Sequence, residues 1–312
     1  MPPESTDRLT PEAVPRSMAT AHRPVIVGPM TNSPAIDVRG LHKQYGTRNA
    51  VDGIDLQVHE GEIFALLGPN GAGKTTTVEI LEGYRKRSAG TVSVLGMDPQ
   101  HGDRAWRNRI GLVLQTSKTN DELSVIEAVR QFARYYSNPR DPDEVISLVG
   151  LDDKRADKAA KLSGGQQRRL DVALGIVGRP ELLFLDEPTT GFDPEARRQF
   201  WVLIKELRDD GTTIVLTTHY LDEAEVLADR VGVIVNGQMI EISTPDKLGG
   251  RDTAKTKVQW TEAGQLHEAA TDTPTAFITG LSHRLGDTEI NGLRVSRPSL
   301  EDIYLTMIGV QP

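Results

Sequence analysis

The chain has 312 residues and a formal net charge of −8, and this length accommodates one large domain or two modest ones. The excess of negative charge argues against a generally basic nucleic-acid binder, although it leaves local basic patches open. The sequence contains no cysteine, which excludes disulfides, thiolate zinc sites and cysteine nucleophiles, and it contains no run of about 18 apolar residues of the kind that spans a membrane.

The first 33 residues combine several prolines with serine, threonine and arginine and show little apolar periodicity. We therefore predict a disordered leader over residues 1–33. From Ala35 onward a β-type alternation begins, with apolar side chains at every second position of 36–38 and 54–58. Tyr45 lies between these two runs in a predicted loop, where its ring either stacks on an adenine or packs at the edge of a sheet.

Residues 68–75 read GPNGAGKT and have the spacing G-x-x-x-x-G-K-T of a phosphate-binding loop. The apolar run 63–67 before it predicts a strand buried on both faces, and residues 75–81 after it predict a helix. In this setting backbone N–H groups and the helix N-terminus converge on phosphates, Lys74 reaches the β- and γ-phosphates, and the Thr75 hydroxyl binds Mg²⁺. The nucleotide-contacting residues predicted here are Gly68, Pro69, Asn70, Gly71, Ala72, Gly73, Lys74, Thr75 and Thr76.

Two further apolar runs, residues 91–95 and 110–114, predict strands, and the second ends on Gln115. Ligands of open α/β sheets bind at the carboxyl ends of the strands. Gln115 is therefore a candidate to position a water molecule or to contact Mg²⁺, and the alternative is a polar strand end without a role.

Helical patterns dominate the next part of the chain. Apolar residues recur at helical spacing over 123–136, and residues 142–149 form a short helical pattern with a proline in the first turn. We predict a helical subdomain, over about residues 116–165, inserted between two parts of the sheet.

A second glycine-containing helix start follows at residues 162–167, which read LSGGQQ. The hydroxyl of the serine is a predicted N-cap. Two glycines at a helix start are unfavourable for the helix unless something must approach the backbone closely, so the pattern indicates a second anion site at a helix N-terminus. The residues of this site are Ser163, Gly164, Gly165 and Gln166.

Two carboxylates, Asp186 and Glu187, directly follow the apolar run 182–185. A carboxylate at the tip of a buried strand near a phosphate loop is where Mg²⁺ is held, so we expect Asp186 to hold the metal and Glu187 to polarise the attacking water. Asp193, followed by a proline, predicts the N-cap of the next helix. The strand predicted at 213–218 ends in His219, which can hydrogen-bond a γ-phosphate.

The last part of the chain carries structural signals but no chemical motif. An Asn-Gly pair within residues 231–242 predicts a β-hairpin. From Thr244 onward the sequence is polar, and residues 299–305 predict a closing helix. We predict a small C-terminal domain over residues 244–312.

Together these motifs resemble the ATP-binding subunits of ABC transporters, over about residues 34–243. The LSGGQ sequence at 162–166 is the signature that separates this class from other P-loop ATPases, and it stands between a Walker A and a Walker B motif in the expected order. The resemblance implies an α/β fold, with a P-loop ATPase core, an antiparallel β subdomain, an inserted helical subdomain and a small C-terminal appendix.

The resemblance also implies roles for single residues. In the family pattern Tyr45 matches the aromatic that stacks on adenine, Asp193 the D-loop aspartate and His219 the switch histidine. The implied catalytic residues are Glu187 as the base, His219, Gln115 and Lys74. The implied Mg²⁺ residues are Thr75, Gln115 and Asp186.

In such proteins two subunits pair head-to-tail, and each ATP lies between Lys74 of one subunit and Ser163 of the other. The resemblance therefore implies ATP and Mg²⁺ as cofactors and a homodimer of this chain. It also implies a separate transmembrane permease as partner, with this subunit at the cytoplasmic face of the membrane.

The LDEPTTG run at 185–191 and the SLED run at 299–302 resemble the drug and antibiotic resistance exporters of bacteria. An importer ATPase is an alternative. A soluble ABC ATPase that acts on nucleic acid or ribosomes is another, but the DNA-repair type has a long coiled coil between Walker A and the signature, and the ribosomal type has two cassettes. The acidic charge further disfavours both, and we expect no nucleic-acid partner. The cargo cannot be predicted from this chain.

Overall fold

A computed structural model of the chain describes residues 34–114, 122–286 and 289–309. The predicted leader, residues 1–33, lies outside the described residues, and so does Gln115.

The central sheet carries the candidate site. Within the described residues its strands are β3 (Ile63–Leu67), β5 (Ile110–Val113), β6 (Leu182–Asp186), β7 (Thr213–Thr217), β8 (Arg230–Val235) and β9 (Gln238–Ser243), in the order β5-β6-β7-β3-β8-β9. In this order, each strand from β5 through β3 is parallel to the next one, up to β8. The last two strands, β8 and β9, form the predicted antiparallel hairpin. All residues of β3 and β7 are buried, which explains the uninterrupted apolar sequence of β3 and the apolar centre of β7 between its two threonines.

A second, antiparallel sheet covers one face of the central sheet. It consists of β1 (Pro34–Tyr45), β2 (Arg48–His59) and β4 (Ala89–Val94), in the order β2-β1-β4. Its buried side chains share an apolar cluster with Phe64 of β3 and Phe184 of β6. Successive strand residues point to opposite faces, and accordingly Ile63 and Ala65 belong to the other apolar cluster, on the helical side.

Most helices pack on the other face of the central sheet, whereas the helix at Lys74–Leu81 and Trp106 belong to the cluster shared with the antiparallel sheet. The α-helices of the described residues are α1 (Lys74–Leu81), α2 (Arg104–Arg107), α3 (Val125–Ala133), α4 (Pro142–Leu148), α5 (Gly164–Ile176), α6 (Pro194–Asp209), α7 (Leu221–Leu227), α8 (Pro274–Arg284) and α9 (Leu300–Met307). Short 3₁₀ helices occur at Pro99–His101, Asp152–Lys154, Ala159–Lys161 and Leu248–Thr253. No helix in this described part is long and apolar enough to cross a membrane.

The C-terminal part contains a small sheet and two of these helices. The sheet has the order β11-β10-β12, with β10 at Thr256–Glu262, β11 at Gln265–Thr271 and β12 at Arg294–Ser296. Val258 and Trp260 of this sheet pack with Leu281 of α8 in a cluster of their own. Leu248 and Leu300 are instead part of the large cluster of the core, so α9 packs onto the ATPase side. The domain boundary at residue 244 and the helical subdomain at 116–165 stay predictions.

Candidate active site

A cavity of about 800 Å³ lies where β3, β6 and β7 end. The structure brings together in it most of the residues that the sequence predicts for the first nucleotide site. Those lining it are Tyr45, Asn70, Gly71, Gly73, Lys74, Thr75, Thr76, Asp186, Glu187 and His219. Arg48 and Ala50 of β2 also line it.

The glycine loop wraps around the amino group of Lys74. Lys74 is 7% exposed, and its Nζ donates to the carbonyl oxygens of Gly68 at 2.6 Å and Pro69 at 3.3 Å. Gly73 begins α1 at φ 111°, and a Cβ there would lie 2.5 Å from the carbonyl oxygen of Ala50. Glycine is therefore required at this position by both backbone conformation and packing. Burial lowers the pKa of Lys74, an effect that the charges of Glu187 and Asp186 partly oppose.

The two carboxylates are held by the neighbouring strand β7. Asp186 is the last residue of β6 and accepts a hydrogen bond from the hydroxyl of Thr217. The backbone N–H of Glu187 donates to the Thr217 carbonyl oxygen at 3.0 Å. Glu187 has a φ of 45°, a left-handed conformation that is strained for a residue with a side chain. Glu187 directly follows the end of β6 and lines the cavity.

His219 lies beside Glu187 at the mouth of the cavity. Its Nδ1 is 3.4 Å from Oε2 of Glu187, and its ring packs against Tyr220 at a centroid distance of 4.1 Å. The pair therefore combines a carboxylate that can accept a proton from water with an imidazole that can hydrogen-bond a phosphate oxygen.

Tyr45 forms a half-exposed aromatic wall of the same cavity. Lys43 Nζ lies 4.9 Å from its ring centroid, and the guanidinium of Arg85 lies 5.5 Å from it. Arg48, three residues further along the chain, donates to the Gly71 carbonyl oxygen at 3.3 Å. Sequence reasoning missed Arg48, and its only signal is a basic residue three positions after Tyr45, at the start of β2.

Arg168 is a second residue that sequence reasoning missed. It lies in α5, is 7% exposed and donates to three carbonyl oxygens, those of Leu114, Asp186 and Pro188. It therefore ties the signature helix to the end of β5 and to the segment that carries both carboxylates. The available signal was a charged residue on the buried face of a helix, where Val172 and Leu170 are also buried.

The signature residues line a different cavity, of about 470 Å³, together with Asp193. The predicted caps are confirmed: Ser163 accepts from the Gln166 N–H at 3.3 Å, and Asp193 accepts from the N–H groups of Glu195 and Ala196. No residue lines both this cavity and the one at Lys74. The two predicted phosphate-binding helix starts therefore do not meet within one chain.

Gly164 has no packing role among the residues that the structure describes. A Cβ built on it would meet none of their atoms within 4 Å, and its φ is not left-handed. At Gly165 the nearest atoms to such a Cβ are ring carbons of Phe192 at 4.0 Å, which is an ordinary contact. The space that these glycines leave open faces outward from the start of α5.

Comparison with known proteins identifies the family. A family model described as ABC transporter matches residues 51–190. The daunorubicin resistance ATP-binding protein DrrA3 of Streptomyces coeruleorubidus is 36% identical over 304 residues, which cover 88% of this chain and 96% of that protein. The Nod factor export ATP-binding protein I of Ralstonia nicotianae is 36% identical over 306 residues, which cover 89% of this chain and 95% of that protein. The chain belongs to the ATP-binding subunits of ABC transporters.

A solved structure agrees with this assignment of the ABC subunit. It is that of cbiO1 from Clostridium perfringens, part of the ABC transporter complex cbiONQ, with a TM-score of 0.63 and 29% identity. The match covers 69% of this chain and 90% of that one. The predicted fold class is confirmed, and the chain is an ATPase that binds ATP.

Proposed function

We propose that this ABC subunit powers the export of drugs or antibiotics by a membrane transporter. The ATPase activity in this proposal is supported by one cavity, which is lined by Lys74, Asp186, Glu187 and His219. The export part is supported by relatives that match nearly all of the described chain, one named for daunorubicin resistance and one for Nod factor export. The subunit binds a separate transmembrane permease and thereby lies at the cytoplasmic face of the membrane.

ATP binds with its adenine on the ring of Tyr45 and its phosphates in the glycine loop. Lys74 turns from the carbonyl oxygens of Gly68 and Pro69, which hold it in this structure, to the β- and γ-phosphates. Phosphate oxygens are stronger acceptors for an ammonium group because they are charged. Backbone N–H groups at the start of α1 complete the phosphate site.

The residues of the cavity also fit Mg²⁺. The Thr75 hydroxyl and the Asp186 carboxylate line the cavity, and Thr217 orients that carboxylate. Among the described residues no cluster of three or more His, Cys, Asp or Glu side chains can hold a metal alone. This agrees with the usual coordination of Mg²⁺, which binds one or two protein oxygens together with water and phosphate oxygens. Bound there, Mg²⁺ would neutralise charge on the phosphates.

Hydrolysis uses Glu187 and His219. Glu187 accepts a hydrogen bond from the attacking water and takes its proton as the water oxygen bonds to the γ-phosphorus. The bond between that phosphorus and the β–γ bridging oxygen breaks at the same time, and ADP leaves. His219, 3.4 Å from Glu187, hydrogen-bonds a γ-phosphate oxygen and keeps the two reactants aligned. Gln115, which lies outside the described residues, is proposed to contact the metal.

The complete nucleotide site requires a second copy of the chain. Ser163 and Asp193 line a cavity apart from Lys74, and glycine at 164 is not explained by packing or backbone conformation within the chain. We infer that the γ-phosphate held by one copy contacts the start of α5 in the other copy, which gives a homodimer with two equivalent sites. Hydrolysis then removes the group that bridges the two copies.

The test is affinity purification of the tagged chain from native membranes in mild detergent, followed by transport in inverted membrane vesicles. We expect a polytopic membrane protein in about equal amount. In the vesicles we expect ATP-driven accumulation of a drug such as daunorubicin, which Glu187→Gln abolishes.

Two outcomes would contradict the proposal. Recovery of the chain only with ribosomes or nucleic acid would indicate a soluble ABC ATPase. Recovery with a permease and a solute-binding protein, without accumulation in inverted vesicles, would indicate an importer. Lys74→Ala serves as the control that loses nucleotide binding and keeps the permease.

A further inference from the structure

A buried polar cluster lies next to the active site and takes no direct part in the chemistry described above. Its centre is Glu223 of α7, a carboxylic acid with no exposed surface. The side chains around its carboxyl are Thr189, Trp201 and Thr218. We call these four residues the Glu223 cluster.

Each member of the cluster comes from a different segment. Thr218 directly precedes His219, and Thr189 follows the Glu187–Pro188 pair. Trp201 lies in α6, the helix that Asp193 caps. The carboxyl of Glu223 therefore touches the switch histidine segment, the segment after the proposed base, and the helix that carries the D-loop aspartate at its start.

The polar groups of the cluster face one another without completing good hydrogen bonds. Both carboxyl oxygens of Glu223, the Thr189 hydroxyl and the Trp201 indole nitrogen are buried. Within the described ranges of the chain they have no partner of full hydrogen-bond geometry. The nearby donors favour the charged form of Glu223, but burial outweighs them and raises its pKa. A small displacement of one segment can complete these hydrogen bonds. The hydrogen bonding of the cluster therefore depends on the relative positions of the three segments.

A second set of contacts joins α6 to the switch segment at its surface. The Arg197 guanidinium of α6 lies 4.3 Å from the ring centroid of Tyr220, and Arg197 is 3.4 Å from Asp222. Tyr220 in turn packs on His219. Two sets of contacts therefore join the histidine segment to α6, the buried Glu223 cluster and the surface contacts of Arg197.

We propose that Glu223 is a positioning residue for ATP hydrolysis, which sets His219 relative to Glu187 and moves the Asp193 end of α6 together with them. The part of this inference that concerns Asp193 rests on the proposed dimer, in which Asp193 faces the nucleotide of the second copy. Glu223 then connects the phosphate-sensing histidine of one site to the residue that borders the other site.

The first test is steady-state ATP hydrolysis by the purified full chain carrying Glu223→Gln. The amide keeps the shape of the side chain, but it offers only one acceptor oxygen to the donors of Thr189, Trp201 and Thr218. The hydrogen bonds from these three donors therefore cannot all form. We expect kcat to fall about tenfold while KM for ATP stays within about twofold, because no nucleotide contact is removed. Glu225→Gln is the matched control: it removes a carboxylate from the same helix, whose partner is Arg251, and we expect unchanged kcat.

The second test is a double-mutant cycle with His219→Ala. If Glu223 acts through the histidine, adding Glu223→Gln to His219→Ala lowers kcat by much less than it does in the wild type. Tryptophan fluorescence gives an independent readout. We expect the fluorescence to change when ATP binds, and we expect Trp201→Phe to remove this change and Glu223→Gln to reduce it.

Two results would overturn the proposal. One is a Glu223→Gln protein with wild-type kcat and a lowered melting temperature, which shows a purely structural role. The other is full additivity with His219→Ala. Neither depends on export, and dimer formation with ATP is measured separately by light scattering, so failure of this inference is distinguishable from failure of the proposed function.

Discussion

The strained conformation of Glu187 shows how strongly this site constrains a single residue. Its N–H is fixed by the Thr217 carbonyl oxygen, its φ is 45°, and its carboxylate lies 3.4 Å from His219. A left-handed non-glycine residue costs about 1–3 kcal/mol and persists only where the surroundings impose it. In the proposed mechanism, the carboxylate held in this conformation faces the attacking water.

We predict that Glu187→Gln binds ATP and nearly stops hydrolysing it. The amide keeps the volume and the hydrogen-bonding reach of the carboxylate but cannot accept a proton, so kcat should fall by roughly 10²–10⁴. Phosphate release measures turnover, and a fluorescent ATP analogue measures binding. Turnover close to that of the wild type would show that another group is the base.

We predict a large loss of stability for Arg168→Met. Methionine fills similar volume but leaves the carbonyl oxygens of Leu114, Asp186 and Pro188 without their donor. Buried unpaired acceptors cost about 1–3 kcal/mol each, so we expect the free energy of unfolding to fall by at least about 2 kcal/mol. Urea unfolding measures it, and the exposed Arg198→Met on α6 is the control. Equal unfolding midpoints would contradict this role.

Two helix starts in this chain use glycine for different physical reasons. The fold of the chain itself requires Gly73, because its φ is 111° and the Ala50 carbonyl oxygen occupies the space of a Cβ. Gly164 has ordinary helical geometry and open space around it. Folding therefore requires glycine at position 73. At position 164, glycine leaves room for a group that approaches the helix from outside the chain.

This difference predicts opposite results for the same substitution. Gly73→Ala should lower the free energy of unfolding by about 1–3 kcal/mol through strain and steric overlap. Gly164→Ala should leave it unchanged or raise it by up to about 1 kcal/mol, because alanine is the better helix residue. Even so, Gly164→Ala should reduce ATP turnover, since the methyl group enters the space proposed for the second copy's nucleotide. Normal turnover in a stable Gly164→Ala protein would contradict the composite site.

The end of α1 carries a titrating group inside the fold. Glu82, at the C-cap, has its pKa raised to about 8 by burial, and the negative charges of Asp186 and Glu79 add to the shift. Between the ordinary pKa of 4.5 and about 8 the folded chain holds a proton that the unfolded chain releases. The stability contributed by this proton is complete at the acidic end of that window and is lost as the pH rises through it.

We therefore predict that Glu82→Gln flattens the pH dependence of stability. Between pH 5 and 8 the wild type should lose about 1–3 kcal/mol more than the variant in the absence of nucleotide and Mg²⁺. Urea unfolding at several pH values measures the difference, and parallel curves for the two proteins would contradict it.

The elements most predictable from sequence are those buried on both faces. β3, β6 and β7 appear as continuous apolar runs because neither face of these strands needs polar residues, and the motifs at their carboxyl ends follow from that. Arg168 and Glu223 could not be assigned in this way. Each is one polar residue in a helix, and its role depends on which carbonyl or hydroxyl groups the distant segments bring to it. The separation of Ser163 from Lys74 likewise appears only once the chain is folded.

At the scale of the whole molecule, the proposed dimer takes two different halves of a nucleotide site from each chain. The Lys74 cavity offers a phosphate loop, a base and a histidine, and the Ser163 cavity offers a capped helix start next to Asp193. Two copies related by a two-fold axis can pair each half with its complement, which closes the assembly at two chains. The Glu223 cluster lies between the two halves of the same chain and is placed to connect them.

The composite site predicts recovery of activity from two inactive proteins. Lys74→Ala disables the phosphate loop and a bulky Gly164→Trp blocks the signature helix start, so each homodimer has two defective sites. In a mixed dimer one site combines the intact Lys74 of one chain with the intact Gly164 of the other, and random mixing should restore up to about a quarter of wild-type turnover. Light scattering with ATP, on the Glu187→Gln background, measures the association itself. Absence of recovered turnover in mixtures that form dimers would show that each chain completes its own site.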